Sequence, residues 1–404
     1  MSDVPRNTKG RNQSPFRREM LELEQNGITV HALPRLDDPT VIPLWFGEGD
    51  LTTPTFIRQA AIDALESGVT FYTHTRGHPE LRQAIGDYLH GLYGVEIADE
   101  RITVPGAAMS AITLAAQTAL STGDHALVIG PAWPNINLTY ELTGAEVGHV
   151  SQRLGPTGWT LDLDEVRDAL QPNTRSMFVN SPCNPTGWIM PTEQQRELVA
   201  LCRERNILLI ADEVYHRTVF EGRAAPSFLE VITPDDPVIV VNGFSKAWAM
   251  TGWRVGWLVA PAGYETQWST LSEFFNTGAT VFAQLGGVAA LREGEPFVEQ
   301  LQQQYRGGRD IVMERFADHP LLEISAPAGG FYVFPRVRGM TDSMAFVQGV
   351  LDEESVGLAP GYTFGPGNAD NFRLCFAQSH DRLAEGVERV LRYLDRHSND
   401  FKSR

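Results

Sequence analysis

Short apolar runs alternate with amphipathic stretches through the middle of the chain. The runs lie at Ala126–Ile129, Met177–Val179, Ile207–Ala211 and Val238–Val241. Runs with so few polar interruptions are typical of strands that are covered on both faces. The alternation begins with a predicted strand at Arg101–Val104, a turn at Gly106 and a helix over Ala107–Leu120. The pattern predicts an α/β fold in which helices flank a large, mostly parallel sheet.

Two helix starts carry recognisable end signals. Thr53 precedes Pro54, which predicts a capping threonine followed by proline at the first helical position. Thr192, with Gln195 three residues later, is typical of a capping box at the start of a crossover helix. Both signals place helices between the predicted strands.

The pattern changes after about residue 290, where helical stretches surround short apolar segments. The helices are predicted at Pro296–Phe316 and Asp381–His397, and the strands at Phe331–Phe334 and Phe372–Phe376. This arrangement indicates a smaller α+β domain. We therefore divide the chain into a flexible tail (1–14), a segment that packs on the small domain (15–52), a large domain (53–290) and a small domain (291–404).

Composition narrows the function classes. The 404 residues carry a formal net charge of −17, which argues against a nucleic-acid partner, because phosphate backbones need a basic surface. No apolar run reaches the roughly 20 residues that a membrane helix needs, and the polar, basic start has no secretory signal. Three cysteines without metal-ligand spacing favour a reducing, cytoplasmic location and no metal site.

Lys246 and Arg254 follow the apolar run Val238–Val241 and are the first candidates for chemistry. A neutral lysine amine forms Schiff bases, and burial lowers its pKa toward that state. Arginine stays charged and binds phosphate through its planar guanidinium. A single cation at a strand end is most often a solvated surface residue. The hypothesis of an aldehyde cofactor with a phosphate therefore depends on the rest of the chain.

A strand, a tight turn and a helix start at Val104-Pro105-Gly106-Ala107-Ala108 form a candidate anion site. Free amides and the helix dipole favour an anion there, the dipole by about 0.3–1 kcal/mol. A charged hydrogen bond from Arg254 contributes about 1.5–3 kcal/mol, so the arginine is expected to be the stronger phosphate anchor. Alone, this glycine simply makes the turn.

Two further predicted strands end in polar residues where ligands collect in open α/β sheets. The loop Asn180–Gly187 holds Asn184 between prolines, either as an inward amide donor or as part of a rigid turn. The strand before Asp212 ends in a carboxylate that could stay ionised opposite a protonated ring nitrogen. Tyr215 lies three residues on and can donate a hydrogen bond to a phenolate oxygen.

Arg373 interrupts an apolar strand in the predicted small domain. A cation in such a position needs an anion. A substrate carboxylate bound by two parallel hydrogen bonds is one candidate, and an internal Asp or Glu is the other.

Nine segments occur in the order that a known family has, from Leu44 to about Ala377. They are FGEGD, YTHTRGHPELR, the Gly106 turn, PAWPN, SPCNPTG, ADEVY, SKAWAMTGWRVGW, APAGGFYVF and FRLCFA. Through them the chain resembles the class I/II aminotransferases, pyridoxal-phosphate enzymes of fold type I. The resemblance implies a large sheet domain with a smaller α+β domain.

The resemblance also implies pyridoxal 5′-phosphate as the cofactor, with Lys246 as the Schiff-base lysine that moves a proton between the substrate and the cofactor. It implies that Asp212 keeps the pyridine nitrogen protonated, while Tyr215 and Asn184 bond the phenolate oxygen. Trp133 is expected to stack on the ring.

For the phosphate, the resemblance implies the Gly106 turn, the amides of Ala107 and Ala108, and Arg254. Tyr72 is expected to reach the phosphate of the other subunit, which implies a homodimer with shared active sites.

For the substrate, the resemblance implies that Arg373 binds the α-carboxylate, assisted by Asn184. The backbone near Gly47 is expected to close over the bound substrate.

The chain departs from the family pattern at the phosphate. Many relatives have a serine three residues before the lysine, where this chain has Gly243. Ser245 or Thr280 is expected to supply the missing contact. Ala107 and Ala108 bring no hydroxyl either. The opening motif has Gly49 where proline is common.

The leading functional hypothesis is ping-pong transfer of an amino group between an L-amino acid and a 2-oxo acid. A carbon–sulfur β-lyase, a synthase or an oxidase or deaminase on the same scaffold is the alternative. A non-catalytic sensor fused to a DNA-binding module is disfavoured, because the chain has no room for such a module.

The side chain of the substrate is less defined. Residues 271–284, where dicarboxylate-specific relatives often have an arginine, contain no Lys or Arg. This favours a neutral or aromatic substrate, with Trp45, Phe46 and Tyr332 as walls. Aspartate stays open, since a cation from elsewhere would serve.

Overall fold

The computed structural model describes residues 14–16, 18–21 and 23–402. The predicted flexible tail therefore lies outside the described residues, apart from Ser14. The strands are β1 Ile42–Pro43, β2 Ile102–Gly106, β3 His125–Gly130, β4 Glu146–Ser151, β5 Arg153–Gly155, β6 Gly158–Thr160, β7 Thr174–Asn180, β8 Leu208–Asp212, β9 Val238–Gly243, β10 Gly256–Val259, β11 Leu322–Glu323, β12 Tyr332–Val333, β13 Arg336–Val337, β14 Val356–Gly357, β15 Ala359–Pro360 and β16 Phe372–Cys375.

Helices separate most of these strands. They are α1 Arg18–Leu21, α2 Gly27–Ala32, α3 Thr55–Glu66, α4 Pro79–Tyr93, α5 Ala108–Ala119, α6 Asn135–Glu141, α7 Leu163–Asp168, α8 Thr192–Arg205, α9 Phe244–Ala247, α10 Glu265–Asn276, α11 Val281–Glu293, α12 Glu295–Phe316, α13 Ser343–Glu354, α14 His380–Arg396 and α15 Ser398–Lys402. None of these described helices is both long and apolar enough to cross a membrane.

Seven strands form the central sheet in the order β2-β10-β9-β8-β7-β3-β4. The strands from β9 to β4 pair in parallel. β10 runs antiparallel to both of its neighbours. The predicted α/β fold with a large, mostly parallel sheet is confirmed.

The apolar runs are continuous because the two sheet faces bury alternate residues of one strand. On β9, Val238 and Val240 pack in one core cluster, which also contains residues of α4 and α11. Ile239 and Val241, between them in sequence, pack in another cluster with residues of α5. Side chains alternate across a strand, so a sheet covered on both faces leaves no position for a polar residue.

A second body of structure follows α11. It contains the three-stranded sheet β12-β16-β15, with α12, α13 and α14 contributing to its apolar cluster. The N-terminal segment joins this part, since Ile42 of β1 pairs in parallel with Val356 of β14. Ile28 and Trp45 share a further cluster with Phe334. The exact domain boundaries stay a prediction.

The predicted helix cap at Thr53 is wrong. α3 begins at Thr55, and the N-cap position belongs to Pro54, which offers no side-chain acceptor. The Thr53 hydroxyl instead donates to the carbonyl oxygen of Ala249 at 2.6 Å. A tertiary contact to the segment after Lys246 therefore replaces the local one.

The predicted capping box at the start of α8 is also wrong. Thr192 is already inside the helix, and Pro191 occupies the N-cap without a side-chain bond. The buried Gln195 carboxamide donates to the carbonyl oxygen of Pro226 at 3.1 Å. The box pattern fails because both of its side chains lie one position too far into the helix.

The strand predicted from Arg101 begins one residue later. Arg101 ends a short 3-10 helix, and its buried guanidinium donates to the carbonyl oxygen of Ala260 at 2.8 Å. A buried arginine at this point needs a backbone acceptor, which Ala260, directly after β10, supplies.

Candidate active site

Parallel strands bring polar residues to one edge of the central sheet. Asn180 ends β7 and is paired with Asp212, which ends β8. β9 ends at Gly243, and the short helix α9, which carries Lys246, follows at once. A cavity of about 340 Å³ opens at this edge.

Most of the predicted site residues line this cavity. They are Gly47, Ala108, Trp133, Asn184, Asp212, Tyr215, Ser245, Lys246, Arg254 and Arg373. The structure thus brings together residues that are as far as 326 positions apart in the sequence, from Gly47 to Arg373.

Lys246 is partly buried, and its amine donates to the carbonyl oxygen of Gly47 at 2.7 Å. Burial lowers the pKa of this amine to about 8, and the nearby Arg373 acts in the same direction. The charge of Asp212 opposes the shift. A fraction of the amine is therefore neutral near pH 7 and able to act as a nucleophile.

Asp212 is buried, and burial raises the pKa of its carboxyl to about 7. Oδ1 accepts the backbone amide of Val214 at 3.1 Å, which opposes this shift, as does the charge of Lys246. A ligand cation placed against Asp212 would hold it ionised.

Tyr215 and Asn184 are held together by a buried hydrogen-bond network. The Tyr215 hydroxyl lies 2.8 Å from the hydroxyl of Tyr332 and accepts from Asn184 Nδ2 at 3.5 Å. The backbone amide of Asn184 donates to Asn180 Oδ1 at 2.7 Å. The loop after β7 is therefore fixed from the end of its own strand.

Arg373 lies on β16 and is 3% exposed. Its Nη1 donates to Asn184 Oδ1 at 2.9 Å, and Nη2 donates to the carbonyl oxygen of Trp45. Nε is buried without a partner. None of the ion pairs formed among the described residues involves Arg373. The alternative of an internal Asp or Glu partner is therefore wrong for this part of the chain, and a ligand anion is indicated.

The residues predicted to bind the phosphate differ in whether they reach the cavity. Ala107 is the N-cap of α5, whereas Ala108 reaches the cavity. Gly106 and Ala107 do not line it. Arg254 is exposed, lines the cavity and donates to the carbonyl oxygen of Thr251 at 2.7 Å. Its φ of 55° places the backbone in the left-handed region.

Gly243 is closely packed, and the two residues expected to supply the missing hydroxyl, Ser245 and Thr280, differ in whether they reach the cavity. A Cβ at Gly243 would lie 3.3 Å from the carbonyl oxygen of Val255 and 3.4 Å from Cβ of Ala108. Ser245 lines the cavity, but Thr280 is exposed and does not. Of the two candidates, only Ser245 is in a position to supply the missing hydroxyl.

The walls of the cavity differ in part from the prediction. Phe46 and Tyr332 line it, as expected, whereas Trp45 is 1% exposed and does not. Trp45 packs edge-on against His31 in the N-terminal cluster, so its prediction as a wall is wrong. Tyr72 is 90% exposed and also lies outside the cavity.

Sequence reasoning missed a group of polar and apolar residues at the cavity mouth. Asn26 Nδ2 donates to Asn135 Oδ1 at 3.4 Å, and both side chains line the cavity. Ile28 and Met109 line it too. Asn135 lies in the PAWPN segment, which offered a signal, but nothing in the sequence around Asn26 points to the site.

This arrangement has the parts that an aldehyde cofactor with a phosphate and a basic ring nitrogen requires. It offers an amine of lowered pKa, a buried carboxylate, a phenol with an amide, and a helix start beside an arginine. Arg373 adds a buried cation for a second anion. The residues present therefore fit pyridoxal 5′-phosphate together with a carboxylate substrate.

Comparisons with known proteins agree with this chemistry. The family profile described as aminotransferase class I and II matches residues 40–390. An aspartate aminotransferase of Pyrococcus horikoshii is 31% identical over 358 residues, which are 88% of this chain and 91% of that protein. An arginine–pyruvate transaminase of Pseudomonas aeruginosa is 33% identical over 367 residues, covering 90% of this chain and 92% of that protein.

Solved structures share the fold as well. The alanine aminotransferase from Pyrococcus furiosus superposes with a TM-score of 0.88 at 26% identity, over 94% of this chain and 100% of that one. The chain therefore belongs to the class I and II aminotransferases, fold type I enzymes that use pyridoxal 5′-phosphate to move amino groups between amino acids and 2-oxo acids.

Proposed function

We propose that this aminotransferase works by a ping-pong mechanism in which Lys246, Asp212 and Tyr215 carry the chemistry and Arg373 selects the α-carboxylate. One observation carries the proposal. A buried arginine without an ion-pair partner among the described residues shares a cavity with a lysine whose pKa is lowered to about 8. Arg373 would bind the carboxylate of an amino acid, and Lys246 would act at its Cα.

The residues of the cavity divide the work on the cofactor. When bound, pyridoxal 5′-phosphate supplies an aldehyde and a ring that withdraws electrons. Asp212 would hold the proton on the ring nitrogen, because a cation opposite the carboxylate favours its ionised form. Tyr215 and Asn184 would donate to the phenolate oxygen, and Trp133 would cover one face of the ring.

Lys246 is the proposed general base. Its amine removes a proton from the substrate Cα and returns it at the cofactor, which requires the neutral form. The lowered pKa makes that form accessible near neutral pH. Gly47, whose carbonyl oxygen accepts from this amine, lines the cavity and is proposed to cover the bound substrate.

The proposed phosphate contacts come from the start of α5 and from the segment after β9. Ala108 and Arg254 reach the cavity, and we propose that the Ala108 amide and the Arg254 charge hold the phosphate, with Gly106 and Ala107 forming the turn before them. Ser245 is proposed to replace the hydroxyl that Gly243 lacks.

For the substrate, we propose a neutral side chain. Among the described residues, the cations that line the cavity are Lys246, Arg254 and Arg373. Each has a role already, so none is left for a distal carboxylate. Phe46 and Tyr332 offer apolar walls instead. Aspartate is the second candidate, favoured by relatives that carry the name aspartate aminotransferase.

We propose that two copies of the chain associate. Phe71, Tyr72 and Phe274 are exposed by 83%, 90% and 85%, which is unusual for large aromatic side chains. Gly278, shortly after α10, approaches His74 closely, so both aromatic segments lie on one side of the molecule. A second copy would cover them and bring Tyr72 to the phosphate of its partner.

Two further expectations remain proposals. The chain is proposed to act in the cytoplasm, since its three cysteines are buried as free thiols. We also propose the division into a large domain at 53–290 and a small domain at 291–404, which is supported by the separate apolar clusters around β9 and β16, although Val298 packs in the first cluster and Tyr215 and Phe220 pack in the second.

The direct test is a screen of amino donors in the absence of any 2-oxo acid. A neutral or aromatic L-amino acid is expected to convert the bound cofactor to its pyridoxamine form, followed by absorbance, and a 2-oxo acid should restore it. Release of pyruvate and ammonia without the pyridoxamine form would contradict transamination. Faster conversion by aspartate than by any neutral amino acid would overturn the proposed substrate class.

Lys246→Ala is expected to lower kcat/KM by roughly 10³-fold or more, because the general base is lost. Lys246 is the only lysine between residues 10 and 401, so borohydride reduction of the holoenzyme should label one internal peptide. Mass spectrometry identifies that peptide. Lys402→Ala is the control and should keep the rate. A label confined to Lys9 or Lys402 would refute the assignment.

Arg373→Ala is expected to raise KM for the amino acid and the 2-oxo acid alike, by about 10- to 150-fold, the worth of a charged hydrogen bond. Steady-state kinetics with both substrates measures this. Arg336→Ala, an exposed arginine near β16, is the matched control. An unchanged KM in Arg373→Ala would place the carboxylate elsewhere.

Phe274→Glu is expected to weaken association of two copies by placing a charge in the proposed contact. Sedimentation velocity should show a dimer for the unaltered chain and more monomer for the variant. Phe16→Glu changes another exposed phenylalanine and serves as control. A monomeric unaltered chain that is fully active would rule out shared active sites.

A further inference from the structure

We propose that Tyr332 is a positioning residue that couples the cofactor side of the cavity to the substrate side. Its hydroxyl donates a hydrogen bond to the Tyr215 hydroxyl, and its ring supports the Arg373 guanidinium. The inference rests on the proposed function, in which Tyr215 serves the cofactor and Arg373 the substrate. The inference adds Tyr332 as a residue that acts through Tyr215 and Arg373.

The hydroxyl contact has a defined direction. Tyr332 is fully buried, and the two hydroxyl oxygens are 2.8 Å apart. Tyr215 must donate its own proton toward the cofactor, so it accepts from Tyr332. Burial raises the pKa of Tyr215 above its usual value, and the bond from Tyr332 opposes this. The same bond raises the pKa of Tyr332, as it does for a donor.

The ring contact explains how an incompletely bonded arginine keeps its place. The Arg373 Cζ lies 4.5 Å from the centroid of the Tyr332 ring and 5.0 Å from that of Phe364. Nε has no hydrogen-bond partner. The aromatic faces therefore fix the plane of the guanidinium where hydrogen bonds do not, and attract its charge.

Tyr332 also touches the segment above the lysine. A Cβ added at Gly47 would lie 2.0 Å from the Tyr332 hydroxyl oxygen, so only glycine fits beside it. The carbonyl oxygen of Gly47 accepts from the amine of Lys246. One hydroxyl thus sits against both the phenol of Tyr215 and the backbone that holds the lysine.

The first test is Tyr332→Phe, which removes the hydroxyl and keeps the ring. Without the hydrogen bond from Tyr332, the Tyr215 hydroxyl becomes a weaker donor to the phenolate oxygen of the cofactor. The phenolate oxygen then keeps more negative charge and holds the proton on the neighbouring lysine nitrogen more tightly. The pKa of the cofactor-bound Lys246, read from its absorbance, is expected to rise by about half a unit. The dissociation constant of propionate, a carboxylate without an amine, should change by less than about twofold.

The second test is Tyr332→Leu, which also removes the ring. Calorimetric titration of the holoenzyme with propionate should then show binding weakened by roughly 3- to 30-fold, the range expected for a lost cation–aromatic contact. Equal weakening in both variants would contradict separate roles for the hydroxyl and the ring.

A double-mutant cycle separates positioning from a general structural effect. In a Tyr215→Phe background, Tyr332→Phe should give no further rise in the absorbance pKa, because its effect passes through Tyr215. An additional rise of the same size would overturn the coupling. This comparison needs only folded protein, which melting temperatures of all variants establish.

Tyr140→Phe is the matched control. It also removes a buried hydroxyl pair, with Ser176 at 2.9 Å, but in the cluster that α5 and α6 form against the sheet. Its absorbance titration should match that of the unaltered enzyme, and a shift there would refute a specific role for Tyr332. If the unaltered enzyme has no titrating band, or Lys246→Ala keeps one, the proposed function itself fails. If the unaltered enzyme titrates as expected but Tyr332→Phe leaves the absorbance pKa unchanged, the proposed role of Tyr332 fails and the proposed function stands.

Discussion

The candidate site depends on ionisable side chains that are buried or partly buried without charged partners. Lys246, Asp212 and Arg373 line one cavity, and their hydrogen-bond partners are neutral groups rather than counter-ions: Gly47 O, Val214 N, and Trp45 O together with Asn184 Oδ1. Burying a charge in this way is costly unless something compensates. In the proposed function, the cofactor and the substrate carboxylate would supply that compensation, which would favour the binding of charged ligands at this site.

The fold stabilises this arrangement because each of the ionisable side chains lies on, or directly beside, a strand or helix. Asp212 ends a strand of the central sheet, and Lys246 lies in the short helix directly after the next strand. Arg373 and Tyr332 come from the neighbouring strands β16 and β12 of the smaller sheet. The cavity lies between two frameworks with separate cores. A relative shift of the frameworks would change the distance between Lys246 and Arg373.

The sequence was sufficient to predict the sheet and most of the reactive groups, for a physical reason. Strands covered on both faces must be apolar throughout, so a charged residue at the end of such a strand, like Asp212, is conspicuous. What could not be predicted depends on contacts between distant segments. Thr53 bonds Ala249 rather than capping its own helix, and Trp45 turns into the N-terminal cluster. The hydroxyl of Tyr332 carries no local signal at all.

The strand order has a consequence for how the chain is made. β2, which leads into the Gly106 turn, pairs in the described sheet with β10, and this partner lies roughly 150 residues further along the chain. At ribosomal rates of about 5–20 residues per second, β2 waits roughly 8–30 s for that partner to emerge. Its apolar residues stay without a sheet to join during that time, so the nascent chain is exposed to aggregation and to chaperones. The turn between β2 and α5 is therefore completed on its β10 side only after more than half of the chain has been synthesised, although β2 itself leaves the ribosome much earlier.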